Sequence, residues 1–143
     1  MSYTGFLDPN IDRLDDFIRS ITTTFASHRI RLALWLIEEF DFSQFSATPI
    51  HRSASPFSGS NSQLAGVGYL LTVEANMVDA LIEVLTAEEH LDCNIMHLEL
   101  EVAGKVAIAA YDTFSCAFFN PPITTTFLET LKHQDIISDY GLC

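Results

Sequence analysis

The stretch NIMHLELEVAGKVAIAAYD, residues 94–112, decides the reading of this chain. Its first half alternates. Met96, Leu98 and Leu100 share one face and Ile95, His97, Glu99 and Glu101 the other, the period-two pattern of a half-buried strand. The second half sets Val106, Ile108 and Ala110 against Lys105, Ala107, Ala109 and Tyr111. Between them lies Ala103-Gly104, and the loop length decides which faces meet. A two-residue loop places Val102 opposite Lys105 and Leu100 opposite Ala107, which mixes an apolar row with a mixed one. A three-residue loop, Val102-Ala103-Gly104, puts Gly104 at the left-handed position of a type I turn with a G1 bulge. It pairs Leu100 with Val106, Leu98 with Ile108, and Glu101 with Lys105 as opposite charges. The pattern therefore predicts the three-residue loop.

Working outward towards the C-terminus, residues 114–119 read as a third strand with Phe114, Cys116 and Phe118 on one side. Asn120-Pro121-Pro122 stops it, because proline offers no ladder donor. Thr126-Phe127-Leu128-Glu129 has capping-box spacing and predicts a short helix to about Gln134, burying Phe127, Leu128 and Leu131. Ile136 and Ile137 tuck against the core, and residues 139–143 form a tail.

Working outward the other way, Asn76 with Asp79 resembles a helix cap. Val78, Leu81, Ile82 and Leu85 then follow the i, i+3, i+4, i+7 template, so a helix runs to roughly His90 with Glu83, Glu88 and Glu89 towards water. Residues 67–74 alternate as a strand. Gly66 and Gly68 at its start lack both the Gly-Lys-Ser/Thr of a phosphate loop and the third glycine of a dinucleotide fingerprint. Residues 46–63 carry six Ser, two Pro and a Gly, the composition of a loop. Residues 30–40 are rich in good helix formers, with Ile30, Ala33, Leu34 and Ile37 on one stripe. They predict a helix, although Ile30-Arg31-Leu32 also begins an alternation. Phe40, Phe42 and Phe45 read as core aromatics. At the start, Asp8-Pro9 has the form of a helix opening. Ile11, Leu14, Phe17, Ile18, Ile21 and Phe25 make the buried stripe, and Asp15 and Arg19 are spaced for an ion pair.

The bulk numbers bound the rest. A chain of 143 residues with 48% hydrophobic content and 11 Phe is one folded domain, residues 1–143. No apolar run reaches the length of a membrane span, and the first residues lack a signal-peptide pattern. Cys93, Cys116 and Cys143 are far apart and odd in number, so they read as reduced thiols of a cytoplasmic protein. Charge is the one extreme: net −12, with no Lys or Arg between Arg52 and Lys105. Glu74, Asp79, Glu83, Glu88, Glu89, Asp92, Glu99 and Glu101 all fall in that interval. Such a field repels nucleic acid and anionic membrane and attracts basic partners.

Chemistry-bearing motifs are missing from the sequence. There is no Gly-x-Ser-x-Gly elbow and no pair of histidines at metal-binding spacing. The gathering of His90, Asp92, Cys93 and His97 has no recognised ligand spacing, and Cys116 stands among phenylalanines as a packed thiol. His97 assisted by Glu99 is the one candidate general base. Asp112 continues the Val106, Ile108, Ala110 row, and so either points inward or caps the turn. No catalytic residue, cofactor or metal is assigned.

These readings predict an α+β fold: a small antiparallel sheet, made of the C-terminal hairpin plus a third strand, with helices packed on one face. They also predict a non-catalytic acidic protein-binding module, an inhibitor in the manner of toxin-immunity proteins or nucleic-acid mimics. Its expected contacts with a basic partner are Glu83, Glu88, Glu89, Asp92, His97, Glu99, Glu101 and Tyr111. Two other functions fit the same sequence. One is a small-molecule or enzymatic pocket under residues 46–63, lined by Phe40, Phe42 and Tyr69. The other is a homodimer contact through Ala107, Ala109 and Tyr111.

Overall fold

The computed structural model describes residues 3–50, 55–57, 64–86 and 94–143. Among them, one antiparallel sheet of eight strands runs in the order β3-β4-β2-β5-β6-β7-β1-β8. The strands are β1 (Gly5–Pro9), β2 (Ile30–Leu36), β3 (Thr48–Ile50), β4 (Val67–Val73), β5 (Ile95–Val102), β6 (Lys105–Tyr111), β7 (Cys116–Phe119) and β8 (Ile137–Leu142). Helices α1 (Leu14–Thr24), α2 (Val78–Thr86) and α3 (Thr125–His133) bury their apolar stripes on one face of it. The sheet is thus far larger than the hairpin plus one strand that the sequence predicts.

The largest correction falls on residues 30–40. Ile30–Leu36 is a strand, flanked by β4 on one side and β5 on the other. Ile30, Leu32, Leu34 and Leu36 face the helices, while Arg31, Ala33 and Trp35 face the opposite way. A strand buried on both faces reads as a continuous apolar run, which helix-forming residue types disguise. Each of those four aliphatic side chains, buried completely, contributes roughly 1.5–3 kcal/mol. A helix at this position would leave β4 and β5 without a common neighbour.

The hairpin corrects a second expectation. Glu101 lies opposite Val106 and Val102 opposite Lys105, so the loop is the two-residue Ala103-Gly104. Both loop residues are left-handed, with φ of 51° and 88°, as a type I′ turn requires. The mixing of faces that argued against this loop is removed by a bulge. Leu100 pairs with Ile108, leaving Ala107 as the extra residue on β6. Leu98, Leu100, Ile108 and Ala110 then share the helix side, and Val106 turns to the other. A matching irregularity beside Met96 brings Ile95 to the helix side as well.

The chain ends also pair. Residues 5–9 form β1 instead of opening a helix, with Asn10 capping the turn that leads into α1. Strand β8 occupies the place of the expected tail and pairs with β1 from Gly5 to Pro9. Phe114 lies in the turn before β7 instead of on the strand itself, and Thr124, not Thr126, caps α3. Helix α2 does bury Val78, Leu81, Ile82 and Leu85 as its spacing predicts. No helix of the described residues is long and apolar enough to cross a membrane.

The turn carries a test. Ala103→Asn creates the Asn-Gly pair that left-handed loop residues favour, and should stabilise the fold by about 0.5–1 kcal/mol. Urea unfolding measures it. No gain, or a loss, would favour the three-residue loop.

Candidate functional site

The face of the sheet turned away from the helices carries an unusual set of side chains, held in three cross-strand rows. The first runs Gly68, Trp35, His97, continuing to Tyr111 and Cys116. The second runs Leu70, Ala33, Glu99, Ala109, Phe118. The third runs Thr72, Arg31, Glu101, Val106. Phe57 and Leu64 pack over the middle of this face, against Ala33, Trp35, Val106, Ala109 and Tyr111. Glu99, on the same face, is 0% exposed.

Two carboxylates on one strand therefore lie in a largely apolar layer, where an unpaired charge is costly. Glu101 is met by Arg31 from β2, whose Nε and Nη2 donate to its two oxygens at 2.6 and 2.8 Å. The guanidinium also lies 5.3 Å from the centre of the Phe57 ring. Glu99 is met from β6: the Tyr111 hydroxyl donates to Oε2 at 2.6 Å. Its other oxygen, Oε1, has no partner among the described residues. Ala33 and Ala109, on either side, have nothing to donate. Burial and then the bond to Glu99 push the Tyr111 phenol well above its usual range. Its oxygen also approaches that of Tyr3 at 3.5 Å, and the Tyr3 ring stacks on Phe118.

His97 is buried beside Trp35 and Tyr111, with ring centres 6.5 and 5.9 Å away. Its Nδ1 accepts the backbone N–H of Asp112 at 3.1 Å, which assigns the proton of the neutral ring to Nε2. That contact anchors a strained turn. Asp112, Thr113 and Phe114 all have positive φ, of 54°, 55° and 69°. The turn is fastened by His97, by the carbonyl of Met96 and by burial of Phe114. Asp112 itself is exposed and does not point into the core. Burial holds the His97 pKa below its ordinary value, against the opposing influence of Asp112 and then Glu99.

The expected partner contacts divide accordingly. His97, Glu99, Glu101 and Tyr111 come together, but beneath Phe57 and Leu64 instead of on an exposed surface. Glu83 is exposed on α2, on the far side of the sheet. Glu88, Glu89 and Asp92 lie outside the described residues. Glu101 pairs with Arg31 and not with Lys105, and Arg19 pairs with Asp79 instead of Asp15. Phe40, Phe42 and Tyr69 pack on one another on the helix side, opposite Phe57, so they do not line a space beneath it. Of the proposed dimer contact, Ala107 faces the helices, and Ala109 and Tyr111 are covered.

Arg31, Trp35 and Tyr3 were not singled out by the sequence reading. The signal for the first two is the alternation of Ile30, Leu32, Leu34 and Leu36, which places Arg31, Ala33 and Trp35 on one face. Among the described residues no group of three or more His, Cys, Asp or Glu is placed to hold a metal ion. A scan of protein-family models and searches of curated proteins and of solved structures found no match.

Two outcomes follow from this geometry. Tyr111→Phe leaves both Glu99 oxygens without a described partner and should cost about 1–3 kcal/mol in urea unfolding, whereas Tyr3→Phe should cost well under about 1 kcal/mol. The folded-state pKa of His97 lies below its unfolded value of 6.5. The unfolded state therefore binds more protons in that window, and stability falls as pH drops from 6.5 towards the folded value. Protonation at Nδ1 also removes the acceptor for Asp112. Subtracting the stability profile of His97→Asn should isolate this loss. A difference flat across that window would contradict it.

Proposed function

We propose that this chain is a protein-binding module that captures a basic partner through the outward faces of its α1–α2 pair. The arrangement of exposed charge there carries the reading. Asp12, Asp15, Glu74, Asp79 and Glu83 are all exposed on or beside these two helices. The two cations of the same surface, Arg13 and Arg19, are already tied to Asp16 and Asp79. Asp12, Asp15, Glu74 and Glu83 have no cationic partner within ion-pair distance among the described residues. The sequence continues from α2 into Glu88, Glu89 and Asp92, which extends the single sign of charge.

A field of this kind draws an oppositely charged protein into encounter and raises its association rate, most strongly at low salt. A partner evolved to hold nucleic acid has the matching basic surface, which keeps an inhibitor or nucleic-acid mimic as the favoured role. The buried carboxylates contribute differently. Glu101 is neutralised internally by Arg31, and Glu99 is completely buried. Their role towards such a partner is to hold the sheet that carries the helices.

The test begins with capture from lysate on the immobilised protein at low and high salt, followed by kinetics with the retained basic protein. Replacing Asp12 and Asp15 with Asn, and Glu74 and Glu83 with Gln, should slow association by about ten-fold or more and flatten its salt dependence. Circular dichroism should stay unchanged. Unaltered association kinetics in the quadruple variant would remove the electrostatic reading.

A further inference from the structure

We infer that the covered face of the sheet holds a binding site for a small organic cation, an alkylammonium or guanidinium group, received by Glu99 Oε1. This site is separate from the helix surface proposed above and would stand if that reading failed. Glu99 presents an orphan acceptor. Glu99 is completely buried, and of its two oxygens only Oε2 is engaged, by Tyr111. A buried carboxylate oxygen without a donor is among the costlier arrangements in a fold, so its persistence points to a missing partner.

The chemistry of that partner is set by the surroundings. The residues directly opposite on the two neighbouring strands, Ala33 and Ala109, end at Cβ and cannot donate, and the other unpartnered polar atom of this buried face, Trp35 Nε1, makes no bond to Glu99. Among the described residues, the side chains packed over this face from outside the sheet, Phe57 and Leu64, are apolar. The missing group must therefore bring its own N–H donors, and a positive charge suits a carboxylate enclosed in an apolar layer. The same face shows how it holds such a group. Two residues along β5, Glu101 binds a guanidinium in bidentate fashion with an aromatic ring over it, that of Arg31 beneath Phe57. Glu99 repeats the carboxylate on the same side of the same strand, with the Tyr111 and His97 rings adjacent, but no cation of this chain reaches it among the described residues. The Tyr111 ring offers a polarisable wall of the kind that favours ammonium ions.

The single tryptophan gives the readout. Trp35 lies directly across from His97 on this face and is buried, so its emission reports changes there. The probe is n-butylammonium chloride at fixed ionic strength, with n-butanol and sodium chloride as controls. The expected result is a saturable change in Trp35 emission with the amine alone, weakened about ten-fold or more in Glu99→Gln and unchanged in Glu129→Gln, an exposed position on α3. Equal responses to amine and alcohol, an equal affinity in Glu99→Gln, or no saturable change would overturn the assignment. Should Glu99→Gln not fold, carboxyl 13C NMR of the unaltered protein decides. The Glu99 resonance should move saturably with the amine while that of Glu101 stays, and a stationary Glu99 resonance would overturn it.

Discussion

Strand β5 buries two carboxylates on one face, and each is met by a donor from a different neighbouring strand. Glu101 takes Arg31 from β2, and Glu99 takes Tyr111 from β6. These two contacts tie the three central strands in one register. A slip of β5 by a single residue would turn both carboxylates into the aliphatic layer beneath the helices and bring Leu98 and Leu100 out to replace them. The penalty for an unpaired buried charge makes that alternative far worse than the native arrangement. Hydrophobic contact supplies most of the stabilisation on the helix side, but it is non-directional and would tolerate several registers. The polar pairs on the opposite face choose among them.

The two faces thus differ in what their acids do. Carboxylates on the central strand are structural, enclosed and directed at specific donors. Those on the outward sides of α1 and α2 are exposed and largely unmatched, with only Asp16 and Asp79 drawn into pairs by arginines among the described residues. Net charge cannot separate these populations, because −12 is a sum over both. Burial separates them at once. Left-handed residues 112–114 belong to the same economy of constraint: their strain persists because His97 and the Met96 carbonyl fasten the turn at one end of the polar face.

Much of the hairpin, the fourth strand and the second helix was legible in the sequence, because each has a clean period and a short-range signal. The buried stripe of α2 and the span of β4, Val67–Val73, follow from spacing alone. Strand β2 was not legible by residue type, since Leu, Ala and Trp serve a helix equally well. Only its alternation and its need for two neighbours identify it. The Ala103-Gly104 turn was misread because the sequence does not announce a bulge. Inserting one extra residue at Ala107 restores the facing that the short loop upsets, and nothing local in Val106-Ala107-Ile108 marks the place. The strands at the sheet edge near the termini pair with each other across the whole chain, a partnership that no local pattern encodes. For the site, Glu99, Glu101, His97 and Tyr111 were correctly grouped on one face, but that face is buried, and Phe57 and Leu64, which pack on it, lie distant in sequence.

Everything said of the enclosed face depends on β2 lying as a strand between β4 and β5. Interstrand nuclear Overhauser effects in isotopically labelled protein test this most directly. Backbone contacts are expected from Ala33 to both Leu70 and Glu99, and from Trp35 to both Gly68 and His97. Strong sequential amide–amide contacts along residues 30–36, with no cross-strand partners, would mean a helix there and would contradict the account at its centre.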